Sequence, residues 1–201
     1  MTCKVGMVSL GCPKNQMDAE LMLAKLEQAG FELVAESGLA DVVIVNTCGF
    51  IDSAKEEAIA TILEVAPLKE TGRLKKLLVA GCLTQRYQDE ILEELPEVDG
   101  ILGTGSYTDV AAAVEELMAG EKAEHFGNIH RTFEDGERLV TTPPYTAYLK
   151  IAEGCSNGCA FCIIPKLRGR YRSRSMEALL AEARQLADSG VKELIVIAQD
   201  I

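Results

Sequence analysis

The sequence predicts an α/β fold: an open parallel-sheet α/β domain over residues 1–118, a linker over 119–144, and the beginning of a second unit over 145–201. Three observations carry that reading. Short β-branched apolar runs alternate with amphipathic stretches from Lys4 to about Met118, the pattern of a parallel sheet with crossover helices. The periodicity fades across GEKAEHFGNIHRTFEDGERLVTTPP, a stretch rich in Gly, Thr, Pro and charge. It resumes at Tyr145 as one β-loop-α-β unit.

In chain order, strands are expected at Lys4 to Leu10, Phe31 to Ala35, Val42 to Asn46, Lys76 to Ala80 and Gly100 to Leu102. Between them lie helices at about Gln16 to Ala29, Ser53 to Val65, Gln85 to Leu95 and Tyr107 to Met118. Gly30 is a C-cap for the first, and Ser53 with Glu56 forms a capping box for the second. A short hairpin is expected around Asp135 and Gly136. Tyr145 to Ala152 then reads as a strand, Ser175 to Ser189 as a helix closed by Gly190, and Glu193 to Ala198 as a second strand. A lone βαβ unit leaves an unpaired edge and an uncovered apolar face, so the chain is expected to be a fragment of a longer protein.

Composition narrows the classes. Charge and apolar content are those of a soluble globular protein, and disorder is not expected. No apolar run is long enough to cross a bilayer and no secretory signal opens the chain, so the expected address is cytoplasmic, without a membrane partner. Acidic residues number 31 against 20 basic, a formal net charge of −11. Long-range electrostatics therefore repel phosphate backbones, and any nucleic-acid contact would need a local basic patch. Seven cysteines are many for a cytosolic chain, where clustered cysteines point to metal binding or catalysis rather than to disulfides.

Cys155, Cys159 and Cys162 stand in Glu153-Gly-Cys-Ser-Asn-Gly-Cys-Ala-Phe-Cys, on a short loop beyond a predicted strand. Three thiolates anchor three irons of a 4Fe-4S cube and leave the fourth iron open. The competing reading is a structural zinc site, which needs a fourth nitrogen or sulfur ligand and usually a second ligand pair. No second pair is present, and the two histidines, His125 and His130, lie in the linker.

A second set is dispersed. Cys12 follows the first strand in Ser9-Leu-Gly-Cys-Pro-Lys-Asn15, Cys48 the third in Asn46-Thr-Cys-Gly, and Cys82 the fourth in Ala80-Gly-Cys-Leu. Each is therefore expected at the carboxyl edge of the sheet, where open α/β folds bind ligands. Gly11, Gly49 and Gly81 flank them and permit tight turns. Buried cysteines also pack simply as small hydrophobes, and Cys3 is assigned to that role.

The C-x3-C-x2-C spacing with Phe161 before the last cysteine resembles the signature of radical S-adenosylmethionine enzymes. With the GC, TCG and GC contexts and the RGRYRSR stretch, the whole chain is similar to the methylthiotransferase family. The resemblance implies a radical (β/α) barrel beginning at residue 145 and two 4Fe-4S clusters, one on Cys12, Cys48 and Cys82 and one on Cys155, Cys159 and Cys162. It also implies S-adenosylmethionine in two roles, as methyl donor to sulfur and as the source of the 5′-deoxyadenosyl radical. Phe161 would lay its backbone beside the adenine, and Gln199, in Ala198-Gln-Asp200, would lie near the cofactor amine, although that triplet departs from the usual GGE-like form and also reads as an ordinary strand-end turn. Gly11-Cys-Pro-Lys-Asn15 looks like the branch that modifies an aspartate of ribosomal protein S twelve, whereas the branch acting on a tRNA adenosine typically carries GCQMN. An electron-donor protein is implied, as is a C-terminal substrate-binding module that this chain lacks, so turnover by the chain alone is not expected. A non-catalytic iron–sulfur carrier would instead saturate every iron.

Lys166, Arg168, Arg170, Arg172 and Arg174 place five cations at alternate positions. In an extended segment they share one face, either as a solvated loop or as a binding surface for an acidic group.

Overall fold

The computed structural model describes residues 2–131 and 136–201. A parallel sheet of six strands forms the first part, in the order β2-β1-β3-β4-β5-β6. The strands are β1 Lys4–Ser9, β2 Glu32–Val34, β3 Val42–Thr47, β4 Lys76–Gly81, β5 Gly100–Leu102 and β6 Ala123–His125. Helices α1 Pro13–Gln28, α2 Asp52–Val65, α3 Leu68–Thr71, α4 Cys82–Arg86, α5 Gln88–Glu94 and α6 Val110–Ala119 connect them.

The central strand β3 is buried along its whole length, which explains its unbroken apolar run. Val42 and Ile44 pack with Met22 and Leu26 of α1 and with Val110, Val114 and Leu117 of α6. Val43 and Val45 point the other way, into Ala58, Ile62 and Val65 of α2 and Ile91 of α5. Two cores thus sandwich one sheet. Helix α1 ends as expected: Gly30 takes φ +89°, its N–H donates to Glu27 and that of Phe31 to Leu26, the paired bonds of a Schellman cap.

Several expectations need correction. Ala123–His125 pairs in parallel with β5, Gly100 opposite Ala123, so the sheet gains a sixth strand inside the stretch read as a linker. His125 is accordingly no free loop residue; its ring lies 2.7 Å from Glu116. The helix expected over Gln85 to Leu95 is two, broken at Tyr87, whose φ of −129° and ψ of 44° are not helical. The Ser53 and Glu56 capping box does not form, because α2 begins one residue earlier, at Asp52. The hairpin expected around Asp135 and Gly136 rests on residues 132–135, outside the described set.

Beyond the sheet, β7 Thr146–Lys150, α8 Met176–Asp188 and β10 Glu193–Ile197 form the expected unit, with β7 and β10 parallel. Ser175 caps α8 through its hydroxyl, which accepts the Ala178 N–H. Between β7 and α8, the two-residue strands β8 Ala152–Glu153 and β9 Arg172–Ser173 pair antiparallel and enclose the cysteine loop and helix α7 Ile164–Arg168. Among the described residues no helix is long and apolar enough to cross a membrane.

Candidate metal and cofactor site

Strands β1, β3 and β4 are neighbours, and their register levels their carboxyl ends: Ser9 lies opposite Asn46, and Asn46 opposite Ala80. The turns that leave them carry Cys12, Cys48 and Cys82 onto one edge. Cys12 is exposed, while Cys48 and Cys82 are buried. Glycine is what lets the turns touch. A Cβ at Gly11 would sit 2.7 Å from the Cys48 Cβ and 3.5 Å from its sulfur; one at Gly49 would meet the Cys82 carbonyl at 2.7 Å; one at Gly81 would meet the Thr47 carbonyl at 2.4 Å. Gly11 and Gly81 also hold positive φ, +90° and +105°, which only glycine adopts freely.

Asn15, fully buried at the first turn of α1, ties this edge together. Its Nδ2 donates to the Thr47 carbonyl at 2.8 Å and the Leu10 carbonyl at 3.2 Å, while its Oδ1 accepts the Cys82 thiol at 3.8 Å and the Arg168 guanidinium. Asn46 Nδ2 donates to the Asn15 carbonyl at 2.7 Å, and its Oδ1 is buried without a partner. Burial pushes the Cys82 thiol up to about 11, with Asp18 and Cys48 adding to the rise and Arg168 opposing it. A thiolate there needs a positive partner.

The second set lies on the loop between β8 and α7. Cys159 is exposed, and Cys155 and Cys162 are partly buried. Gly154 takes φ +75° because its backbone packs against the Gly169 and Arg170 carbonyls. Phe161 is 97 % exposed. Gln199, just past β10, uses both ends of its amide: Oε1 accepts the Gly154 N–H at 3.0 Å and Nε2 donates to Glu153 at 2.5 Å. Asp200 accepts the Cys155 thiol at 3.7 Å and the Asn157 amide at 3.1 Å.

A buried charged network joins the two sets, and the sequence reading missed it. Arg168, 4 % exposed, pairs with Asp18 and Asn15. Lys150 reaches Asp18 at 2.8 Å and Glu153 at 2.9 Å. Burial alone would raise the Glu153 carboxyl, but Lys150 and Arg168 outweigh it and hold the group at about 2. Beside it, Arg138 pairs with the fully buried Glu20 and, at 2.9 Å, with Glu182. Asp18, Arg138, Lys150, Glu153, Arg168 and Glu182 border a cavity of about 130 Å³. Asn15 and Asp18 occupy the apolar stripe that continues through Met22 and Leu26, and a polar residue on such a stripe was the available signal. The five alternating cations do not share one face: Lys166 and Arg170 are exposed, whereas Arg168 at the end of α7 turns inward and Arg172 and Arg174 border the same cavity, Arg174 pairing with Glu182.

Among the described residues no three Cys, His, Asp or Glu side chains are placed to hold a single metal ion. A 4Fe-4S cube instead spreads its cysteines over separate irons. Three thiols at the first edge, where glycine turns clear the space, and three on the second loop suit that donor chemistry at both places.

Residues 4–103 match the uncharacterized protein family UPF0004, and residues 149–200 match the radical SAM superfamily. The chain is 54 % identical over 198 residues to the ribosomal protein uS12 methylthiotransferase RimO of Clostridioides difficile strain 630, covering 98 % of this chain and 45 % of that protein. It is 52 % identical over 200 residues to the protein of the same name from Geobacter sulfurreducens, again 98 % and 45 %. The chain thus spans under half the length of these relatives. Among solved structures, the radical S-adenosylmethionine methyltransferase TsrM from Kitasatospora setae, determined with cobalamin and a [4Fe-4S] cluster, superposes with a TM-score of 0.67 at 12 % identity, over 99 % of this chain and 48 % of that one. The cobalamin-dependent S-adenosylmethionine radical enzyme OxsB gives 0.58 at 14 %, over 98 % and 34 %. At these identities the likeness shows the fold.

Proposed function

The chain belongs to the radical S-adenosylmethionine methylthiotransferase family, and from that membership we propose that it forms the two-site part of an enzyme that methylthiolates an aspartate of ribosomal protein S twelve. The carrying observation is the junction of two three-cysteine edges through one buried network. In this reading the first domain, whose sheet extends through β6 to His125, holds one 4Fe-4S cluster on Cys12, Cys48 and Cys82, the stretch from there to residue 144 links, and residues 145–201 begin the radical barrel with a second cluster on Cys155, Cys159 and Cys162. When bound, the clusters and S-adenosylmethionine supply hydrogen abstraction and transfer of a methylated sulfur.

The chain's own residues bind, orient and exclude water. Gln199 and Asp200 hold the backbone and first thiol of the second loop, and Phe161 offers an exposed apolar face beside Cys162 for the cofactor's adenine. Gln199 faces the cofactor from the strand end while steadying Glu153. Asn15 and Arg168 seal the inner side of the first edge, with Arg168 supplying the positive charge that favours a thiolate at Cys82. The substrate assignment follows the relatives' names and the GCPKN motif; an external electron-donor protein and a cytoplasmic setting complete the proposal.

The test is iron and acid-labile sulfide content, with EPR, on anaerobically reconstituted full-length protein and on its Cys155→Ala, Cys159→Ala, Cys162→Ala variant. About eight irons falling to about four supports the reading. About four in the parent and none in the variant overturns the first cluster. Mass analysis of the S twelve peptide and of tRNA after turnover then decides the substrate, a methylthio group on the tRNA adenosine overturning the ribosomal assignment.

A further inference from the structure

We propose that Arg168 is a positioning residue that clamps the Cys155–Cys162 loop to the Cys12, Cys48 and Cys82 edge and sets a fixed positive charge beside Cys82. The inference rests on the two-site reading. Three observations converge on this one side chain. Arg168 ends α7, which begins two residues after Cys162, so whatever holds Arg168 holds the exit of the loop. Its guanidinium then crosses to α1, where it pairs with Asp18 and donates to Asn15 Oδ1, the atom that also receives the Cys82 thiol. Finally, α7 packs against α4, whose first residue is Cys82, and the Thr104 hydroxyl donates to the Leu167 carbonyl at 2.5 Å.

The loop's entrance is held to the same centre. Glu153, two residues before Cys155, lies 3.7 Å from Arg168 and 2.9 Å from Lys150, which itself reaches Asp18. Entrance and exit of the second loop therefore converge on Asp18, six residues after Cys12 in sequence. Arg168 meets Asp18 through Nη1 and Asn15 through Nη2; a lysine in its place has one nitrogen and does not reproduce that two-nitrogen fork. Buried at 4 % exposure, the charge is poorly screened, and it stabilises whichever state of a neighbouring centre carries more negative charge.

The experiment uses full-length protein with Arg168→Met, Arg168→Lys and Asp18→Asn. Hydrogen exchange is read on metal-free protein, and the reduction potential of the first centre on reconstituted protein lacking Cys155, Cys159 and Cys162. In Arg168→Met, amides of residues 155–169 should exchange roughly tenfold faster or more, while β3 and β4 keep their protection. The potential should move to more negative values in the Met variant and stay near parental in the Lys variant, which keeps the charge but leaves the loop loose. Parental exchange in 155–169 overturns the clamp, and a parental potential in the Met variant overturns the electrostatic role. If β3 and β4 also lose protection in the Met variant, Asp18→Asn decides: an unchanged loop there overturns the clamp. Iron at only one set in the parent sinks the two-site reading, and the metal-free exchange still decides the clamp.

Discussion

Asn15 and Thr47 meet across the carboxyl edge of the sheet, the Asn15 amide donating to the Thr47 carbonyl at 2.8 Å in a place closed to water. One side chain thereby fastens the turn after β1 to the turn after β3.

Replacing Asn15 with Leu keeps its bulk and leaves the Thr47 and Leu10 carbonyls and part of the Arg168 guanidinium unpaired. Each such group costs about 1–3 kcal/mol, so urea denaturation should show a loss of about 3 kcal/mol or more. Iron uptake at the first edge should fall with it.

Gly81→Ala places a Cβ 2.4 Å from the Thr47 carbonyl at a φ of +105°. Backbone strain of this kind costs about 1–3 kcal/mol, and here relief requires β3 and β4 to part at their ends. The thermal midpoint should drop, and the thiols of Cys48 and Cys82 should react faster with a maleimide reagent. Gly120→Ala, also at positive φ but with open space around it, should cost stability without changing thiol reactivity.

Gln199→Leu removes the two bonds that hold Glu153 and the Gly154 N–H. The sheet is untouched, so denaturation should shift by only about 1–2 kcal/mol, while hydrogen exchange at Gly154 and Cys155 should rise. Equal acceleration throughout β3 would contradict this local role.

Asp41 gives the chain an acid-sensitive joint. Burial works to raise its carboxyl, but the Lys4 N–H, Arg73 and Lys75 outweigh it and hold the group at about 2, below its ordinary 3.8. A lowered folded value means the unfolded chain binds the proton more readily. The contribution is therefore full above about pH 4 and is lost as pH falls toward 2. Unfolding followed from pH 6 to 2 should lose less stability in Asp41→Asn than in the parent, because the variant starts without it.

The sequence revealed elements wherever a local pattern was long enough. Strands β1, β3, β4 and β5 lie within a residue of their expected ends, because alternating or continuous β-branched runs declare themselves. Strand β6 did not: Ala123–His125 has three residues in a charged stretch, and its pairing comes from β5. The break at Tyr87 was equally silent, since Gln85 to Leu95 carries an unbroken helical pattern while the backbone leaves helical geometry at Tyr87 and restarts as α5. The cysteines were legible as motifs. Their coupling was not, because Asp18 lies far in sequence from Lys150, Glu153 and Arg168 and meets them only when the halves pack. Arg168 even looked like one of five equivalent cations until the short helix α7 singled it out.

The two thiol sets differ in what must happen before each can assemble. Cys155, Cys159 and Cys162 are neighbours along the chain, and any thiophilic ion can find them even in a denatured polypeptide. Cys12, Cys48 and Cys82 come within reach only after three strands and the crossovers between them have closed in register. In the proposed two-cluster reading, occupancy of the dispersed set is thus a report on completed folding, whereas occupancy of the local set is not. During biosynthesis the local trio is exposed to mismetallation from the moment it emerges, and a metal held by the unfolded chain subtracts from the stabilisation the same metal gives the native one.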